Sequence, residues 1–324
     1  MKTEPIYKTI LGCAYCADSF KFMQEMPSDS VDLVITSPPY ALHFKKEYGN
    51  ADQADYVNWF LPFAHEIRRI LKPTGSFVLN IGGTWTPRIP TRSRYHFRLL
   101  LRLCDDIGFY LCQEFFWYNP AKMPAPAEWV NVRRIRVKDS VEYIYWLGKS
   151  PNPKADNTKI LQPYSKDMIR LIKRGITKTV RPSGHNIKET FAFDRGGSIP
   201  GNLIECGNNE SNSSYLNLMK KLKKKIHPAR FPAELPRFFI HFLTDINELV
   251  LDPFAGSNTT GYIAEILNRH WIAIDINKDY IENSQYRFQI RDAIIDQAIN
   301  QPVQPIQLKL MDSKSGRQNY HRLR

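Results

Sequence analysis

Two short loops carry the residue types from which an active site can be built. The first, residues 36–40, reads Thr-Ser-Pro-Pro-Tyr and directly follows the apolar run 31–35. Proline has no amide hydrogen and fixes the backbone, so the loop's carbonyl oxygens stay free to accept hydrogen bonds. Tyr40 adds a flat ring on which a base can stack. The loop therefore suits a planar base with an exocyclic amine; the alternative is a proline-terminated strand with a surface tyrosine.

The second loop, residues 252–258, reads Asp-Pro-Phe-Ala-Gly-Ser-Asn and leads from an apolar run into a predicted helix. Amides at a helix N-terminus favour an anionic or carboxylate-bearing ligand. The next strand ends in Asp275, where nucleotide-type sites place an acid against ribose hydroxyls. Asn258 stands where a second glycine is often found. The pattern fits a nucleoside-type cofactor site or, alternatively, a plain tight turn.

Alternating strands and amphipathic helices must position these loops. Short apolar runs are typical of buried strands, and apolar residues spaced three and four apart predict helices. Such alternation predicts an α/β fold, with helices on both faces of a doubly wound, mostly parallel sheet. The predicted strands are 31–35, 76–81, 109–118, 141–147, 249–252 and 271–275, and the predicted helices are 56–71, 99–104, one ending near 243, 259–267 and 278–298.

A polar, basic stretch interrupts this alternation between residues 149 and 226. It predicts an inserted module, although a solvated loop with a basic face is the alternative. We therefore divide the chain into four parts. They are residues 1–148, an inserted basic region (149–226), residues 227–300 and a polar basic tail (301–324).

The charge balance favours nucleic acid as a partner. The chain has 45 Lys and Arg against 32 Asp and Glu, a net charge of +13, which steers polyanions toward the surface. One cluster of cations comprises Arg133, Arg134, Arg136 and Lys138. We expect these side chains to contact the phosphates of a nucleic acid; a solvated edge is the alternative.

The cysteines and the hydropathy pattern argue against a disulfide-stapled, metal-binding, membrane-spanning or secreted protein. Five cysteines do not make a disulfide framework, so a reducing cytoplasm is the simplest interpretation. Cys13 and Cys16 have the spacing of a zinc half-site, but no second pair follows, and we expect no metal. No run reaches the length of a membrane-spanning helix, and the N-terminus lacks the apolar core of a signal peptide. We expect no membrane partner.

The two loops together resemble a known family. Ser37-Pro38-Pro39-Tyr40 is similar to the catalytic motif of S-adenosylmethionine-dependent amino-methyltransferases of DNA, and residues 252–257 resemble the cofactor motif of the same family. The catalytic motif comes first, 212 residues before the cofactor motif. That order resembles the beta arrangement, in which a target-recognition region lies between the two motifs. The resemblance thus implies a catalytic half (1–148), a target-recognition region (149–226) and a cofactor-binding half (227–300). Serine at position 37 is most similar to the cytosine-N4 branch.

Further segments extend the resemblance over about residues 12–290. Residues 17–19 resemble the family's Gly-Asp-Ser motif, which contacts the adenine ring of the cofactor. Residues 72–76 resemble the family's Lys-Pro-Gly-Gly turn, and residues 227–232 resemble its motif just before the strand that leads to the cofactor loop. Ala17, Asn258 and Asp275 depart from the commonest residues but remove no expected functional group. The resemblance implies Ser37, Pro38, Pro39 and Tyr40 as catalytic residues. It implies cofactor contacts by Asp18, Thr36, His227, Arg230, Phe231, Asp252, Phe254, Ala255, Gly256, Ser257, Asn258, Thr259 and Asp275.

The fold implied by the resemblance is a Rossmann-like methyltransferase sheet of seven strands with permuted motif order. The implied reaction transfers a methyl group from S-adenosylmethionine to N4 of a cytosine flipped out of duplex DNA. The resemblance also implies a restriction-modification system with a cognate endonuclease. The alternatives are an adenine-N6 methyltransferase, an RNA amino-methyltransferase and a DNA-binding relative without catalysis.

Overall fold

The structure, a computed structural model, describes residues 3–41, 52–175, 189–208, 214–230 and 232–289. These residues form one mixed sheet with helices on both faces. The strands are β1 (Tyr7–Lys8), β2 (Gly12–Cys16), β3 (Val31–Thr36), β4 (Leu71–Ile81), β5 (Tyr110–Tyr118), β6 (Val141–Gly148), β7 (Leu203–Glu205), β8 (Leu249–Asp252) and β9 (His270–Asp275). The α-helices are α1 (Ser19–Glu25), α2 (Tyr56–Ile70), α3 (Tyr95–Asp105), α4 (Lys166–Arg174), α5 (Ser214–Lys221), α6 (Glu234–Leu243), α7 (Thr259–Ile266), α8 (Lys278–Ser284) and α9 (Tyr286–Gln289).

The strand order is β1-β2-β9-β8-β3-β4-β6-β5-β7. The run from β2 to β4 is parallel, whereas β6 is antiparallel to both β4 and β5. This confirms the predicted mostly parallel α/β sheet. Within the described residues the sheet has nine strands rather than the seven implied by the resemblance, because β1 and β7 are added at its two edges.

Strand β3 lies at the centre and is buried along its whole length. Successive side chains of a strand point to opposite faces, so Leu33 and Ile35 pack in one apolar cluster and Val34 in the other. Val31 joins the cluster of Val34, and the pairing register of the strand shifts between Val31 and Leu33. Helices α6 and α7 cover the first face, and α2 and α3 cover the second. The two packed layers explain why the central strands read as continuous apolar runs.

Two predicted boundaries were wrong. Strand β4 begins at Leu71 rather than at Ser76, because Val31 pairs with Leu71 before the register shifts, and residues 72–75 bulge out of the ladder. The last predicted helix, 278–298, is interrupted: α8 ends at Ser284, and a separate short helix, α9, begins at Tyr286. Residues beyond 289 lie outside the described part of the chain.

The inserted region is not separate from the sheet. Its strand β7 pairs in parallel with β5, so part of residues 149–226 extends the sheet rather than interrupting it. The division of the chain into four parts stays a prediction, and residues 301–324 lie outside the described part.

The geometry of β2 argues against the zinc half-site. Cys13 and Cys16 both lie in this strand, and residues three apart in a strand face opposite sides of the sheet. Cys16 Sγ lies 3.6 Å from the carbonyl oxygen of Ile276. Among the described residues, no three His, Cys, Asp or Glu side chains are grouped to hold a metal ion. In the same part of the chain, none of the helices has the length and apolar character that crossing a bilayer requires.

Candidate active site

A cavity of about 760 Å³ opens at the edge where the parallel strands end. Strands β3 and β8 are parallel neighbours, with Leu33 opposite Val250, so the loops that follow them meet side by side. The Thr36 hydroxyl donates to Asp252 Oδ1 over 2.6 Å and joins the two loops across 216 residues of sequence. The two loops predicted to carry the chemistry therefore line one cavity.

The turn after β8 is held by the buried carboxylate of Asp252. Its Oδ2 accepts from the Thr260 hydroxyl over 2.7 Å, and its Oδ1 accepts from the backbone N–H of Phe254 over 3.1 Å. Burial raises the pKa of Asp252 to about 6, against the lowering effect of these hydrogen bonds. Asp252 supports the turn from behind, whereas Phe254, Ala255, Gly256, Ser257 and Thr259 line the cavity.

Two more predicted cofactor residues lie behind the cavity wall. Thr36 is fully buried in its bond to Asp252. Asn258 has a left-handed backbone (φ 52°), and its Oδ1 caps α7 by accepting from the N–H of Gly261 over 2.9 Å. Neither is among the lining residues. Asparagine tolerates this conformation better than most residues, so the departure from glycine costs the turn little.

Asp275, at the end of β9, ties the turn to the neighbouring strand. Its Oδ2 accepts from the N–H of Gly256 and its Oδ1 from the N–H of Asn277, each over 2.8 Å. Burial raises the pKa of Asp275. The carboxylate lines the cavity, and each oxygen has a second lone pair for a ligand hydroxyl.

Asp18, His227 and Arg230 also line the cavity. The exposed Asp18 caps α1 by accepting from the N–H of Phe20 over 2.9 Å. Gly256 has φ +53°, and a Cβ built there would lie 3.2 Å from the His227 ring; glycine is therefore required where this ring covers the turn. Burial lowers the pKa of His227 to about 4, which keeps its ring neutral. Phe231 lies outside the described residues.

The proline loop contributes Ser37, Pro38, Pro39 and Tyr40 to the same cavity. The Tyr40 hydroxyl donates to Glu142 Oε2 over 2.6 Å and lies 3.2 Å from Ser37 Oγ. Burial and the Glu142 carboxylate raise the pKa of Tyr40 well above its ordinary value. The phenol therefore stays protonated and keeps donating.

The sequence reading missed Asn80 and Glu142. Asn80, near the end of β4, donates through Nδ2 to Tyr40 Oη over 2.9 Å, whereas its buried Oδ1 has no partner among the described residues. Glu142 also accepts from Lys122 Nζ over 3.1 Å. A polar residue at the end of an apolar strand was a signal for Asn80. Glu142 lies near the start of β6, and it reaches this edge only because β6 runs antiparallel to β4.

Aromatic side chains and the insertion complete the wall. Trp59 and Phe63 of α2 pack against Phe254, with ring centroids 5.9 and 5.2 Å apart. Trp117, near the end of β5, lines the cavity and donates to the carbonyl oxygen of Cys206 over 2.9 Å. Asn208, which follows β7, is also in the lining. The insertion thus supplies part of the site, which the sequence did not indicate.

The basic segment lies in the loop between β5 and β6 rather than in the cavity wall. The Arg133 guanidinium lies 5.1 Å from the Trp129 ring centroid, and Lys138 Nζ donates to the carbonyl oxygen of Pro120. Arg134 and Arg136 are exposed. Lys122, in the same loop, donates to Glu142 of the cavity.

The chain is similar in sequence and in fold to known methyltransferases. A type II methyltransferase of Proteus hauseri, M.PvuII, is 49% identical over 288 residues, covering 88% of this chain and 86% of the relative. M.BglII of Bacillus subtilis is 26% identical over 281 residues, covering 85% and 68%. The solved PvuII DNA methyltransferase, described as cytosine-N4-specific, superposes with a TM-score of 0.74 at 42% identity, covering 92% and 93%.

A solved complex of M1.HpyAVI with SAM shares the fold at 21% identity, with a TM-score of 0.51, covering 86% of this chain and all of the other. The family described as DNA methylase matches residues 31–286, from the central strand β3 to the first residue of α9. This range contains the proline loop, the turn after β8 and the insertion between them. The chain belongs to the DNA methylase family.

Proposed function

We propose that this protein transfers a methyl group from S-adenosylmethionine to the exocyclic N4 of cytosine in duplex DNA. One observation carries the proposal: Ser37 and Tyr40 share a single cavity with Gly256 and Asp275. The similarity to the cytosine-N4-specific PvuII enzyme, at 42% identity over nearly the whole chain, supports cytosine as the target. The type II relatives support a role in protecting DNA against a cognate restriction endonuclease. DNA as substrate is consistent with a cytoplasmic location.

The residues of the cavity fit a nucleoside cofactor. About 760 Å³ lies within the range of small-molecule sites, which reach about 1,000 Å³. Asp275 offers lone pairs to hydroxyls beside the turn, while Phe254 and Trp59 form an apolar wall for a flat ring. The carboxylate of Asp18 lies on the same lining. When bound here, S-adenosylmethionine supplies a methyl group activated by its sulfonium.

The proline loop prepares the amine for attack. The lone pair of a cytosine amine is delocalised into the ring, so hydrogen-bond acceptors must engage its hydrogens and free the pair. Ser37 Oγ and the carbonyl oxygen of Pro38 are the acceptors we assign to this task. Asn80, which lines the same cavity, donates through Nδ2 to Tyr40 Oη over 2.9 Å and so helps to hold the loop that carries these acceptors. Fixed acceptors need no reorganisation during the reaction.

The tyrosine holds the base. Gly82 packs beneath the Tyr40 ring, where a Cβ would come within 2.4 Å of the ring, and Glu142 fixes its hydroxyl. Tyr40 therefore presents a ring of fixed orientation on which a flipped base can stack. Flipping costs a few kcal/mol, which contacts of Arg133, Arg134, Arg136 and Lys138 with phosphates would offset.

Nucleoside analysis tests the proposal. Unmethylated duplex DNA is incubated with the protein and S-adenosylmethionine, digested and analysed by mass spectrometry. We expect N4-methylcytosine with wild type and none with Ser37→Ala. N6-methyladenine without N4-methylcytosine would overturn the choice of base, and methylation of RNA but not of duplex DNA would overturn the choice of nucleic acid. DNA binding without methylation would indicate an inactive relative.

A further inference from the structure

A second, smaller cavity lies outside the active site. It has a volume of about 330 Å³ and is formed by the loop after β4 and the start of α3. Its lining combines cationic and hydroxyl side chains without a carboxylate: Thr86, Thr91, Arg92, Ser93, Arg94 and Arg98. A backbone hydrogen bond from Thr86 N–H to the carbonyl oxygen of Thr91 closes the loop over 2.9 Å. The cavity is thus formed by a hydrogen-bonded loop and is lined by side chains that can donate hydrogen bonds.

The positive charge of this cavity is only partly compensated. Arg92 pairs with Asp139 and lies over the Trp85 ring, 5.3 Å from its centroid. Arg94 and Arg98 are exposed and have no acidic partner among the described residues. The first turn of α3 contains no acid, and no side chain caps it. Guanidinium groups with hydroxyls form the donor set that phosphate oxygens prefer.

Two contacts join this cavity to the basic segment of the β5–β6 loop. Arg136 donates to the carbonyl oxygen of Pro90 over 2.9 Å, and Asp139 pairs with Arg92. The loop also continues β4 directly, and Asn80 of β4 lines the active-site cavity. These contacts place the cavity of Arg94 and Arg98 beside Arg136 of the basic segment, after a strand that reaches the active-site cavity.

We infer that this cavity binds a backbone phosphate of the DNA substrate, through Arg94 and Arg98, with the hydroxyls of Ser93 and Thr91 as further donors. The inference rests on the proposed function only in taking DNA as the ligand. A phosphate held here would fix the position of the duplex relative to the proline loop, because contacts to the backbone set register without reading sequence.

The test compares the double variant Arg94→Gln/Arg98→Gln with Arg102→Gln. Arg102 lies on the same helix but pairs with Asp106, so it controls for the removal of one exposed helix charge. Binding of a short fluorescein-labelled duplex is followed by anisotropy over a range of salt concentrations. We expect the double variant to raise Kd by about tenfold near 0.1 M salt. We also expect the slope of log K against log salt to fall by about one for each phosphate that the variant no longer binds.

An unchanged Kd and slope in the double variant, or an equal change in Arg102→Gln, would overturn the inference. Inorganic phosphate that raises the melting temperature of wild type but not of the double variant, with DNA affinity unaffected, would show a site for a free anion instead. Both substituted arginines are exposed, and melting curves check that the variants fold. The anisotropy assay needs no methyl transfer, so failure of the proposed chemistry is seen separately, in the nucleoside analysis.

Discussion

The two loops of the active site are built in different ways. Several bonds of the turn after β8 are local: Asp252 accepts from Phe254 and Thr260, and Asn258 caps the helix that follows. Two further bonds, from Thr36 to Asp252 and from Gly256 to Asp275, tie the turn to β3 and β9. The proline loop is organised from a distance. Its Tyr40 hydroxyl is held by Asn80 and Glu142, which lie 40 and 102 residues away in sequence.

The difference separates two tasks. The local bonds of the turn after β8 join residues two to eight positions apart, which fixes much of its shape and suits a site for a cofactor. A loop held by residues from β4 and β6 has its working geometry only when the sheet has assembled, so its side chains are sensitive to changes elsewhere. Substitutions in each loop, and in their supports, test this distinction.

Removing the Ser37 hydroxyl should have the largest effect. We expect Ser37→Ala to lower the rate of methyl transfer by about 10²–10³-fold, the usual cost of losing one fixed hydrogen-bonding group at a reacting centre. DNA affinity should stay close to that of wild type. Radiolabelled methyl transfer and anisotropy measure the two effects; methylation at the wild-type rate would remove Ser37 from the mechanism.

The second-largest effect is expected from Glu142, which holds the Tyr40 hydroxyl from a distant strand. In Glu142→Gln the Tyr40 hydroxyl loses a charged acceptor, and hydrogen bonds to charged groups contribute about 1.5–3 kcal/mol, so we expect kcat to fall by about 10- to 100-fold. The control is Glu114→Gln, an exposed carboxylate on the neighbouring strand β5 that does not line the cavity. Equal activity of the two variants would show that the proline loop does not depend on β6.

A smaller effect is expected at the turn after β8. Asp275→Ala removes a carboxylate that lines the cavity and accepts from Gly256 and Asn277, so we expect about tenfold weaker binding of S-adenosylmethionine. Titration calorimetry measures it, with the exposed Asp279→Ala as control. An unaltered affinity would refute the assignment of Asp275 to the cofactor, and melting curves show whether the turn still folds.

The smallest effect concerns stability near the proline loop. His96 is buried, its ring nitrogens have no partner among the described residues, and burial lowers its pKa to about 4. The unfolded chain, with a histidine pKa near 6.5, therefore binds a proton that the folded protein does not. Stability is full above pH 6.5 and is lost as the pH falls toward 4. The loss between pH 7.5 and 5.5 is about 1.3 kcal/mol.

We expect His96→Phe to remove this part of the pH dependence, because phenylalanine fits the ring cluster with Phe97 and Tyr143 and takes no proton. Urea unfolding at the two pH values measures it. His241, which burial and nearby arginines also shift to a pKa of about 4, keeps its contribution in this variant. An identical change in wild type and variant would contradict the interpretation.

The contrast between the loops also explains what the sequence could predict. The mostly parallel sheet followed from apolar runs such as 31–35, and the turn after β8 from the consecutive residues 252–258. The place of Glu142 in the active-site cavity could not be predicted, because this residue reaches the cavity only when β6 runs antiparallel to β4. Asn208 could not either, because β7 joins the sheet only through its pairing with β5. Thr36 and Asp252 looked like ligand residues, but each satisfies the other inside the protein.

A crystal structure of the protein with duplex DNA and a non-reactive analogue of S-adenosylmethionine tests the central claim most directly. The account predicts a flipped cytosine stacked on Tyr40, its amine within hydrogen-bond distance of Ser37 Oγ, and the analogue's ribose against Asp275 in the same cavity. A base or an analogue bound outside that cavity would contradict it.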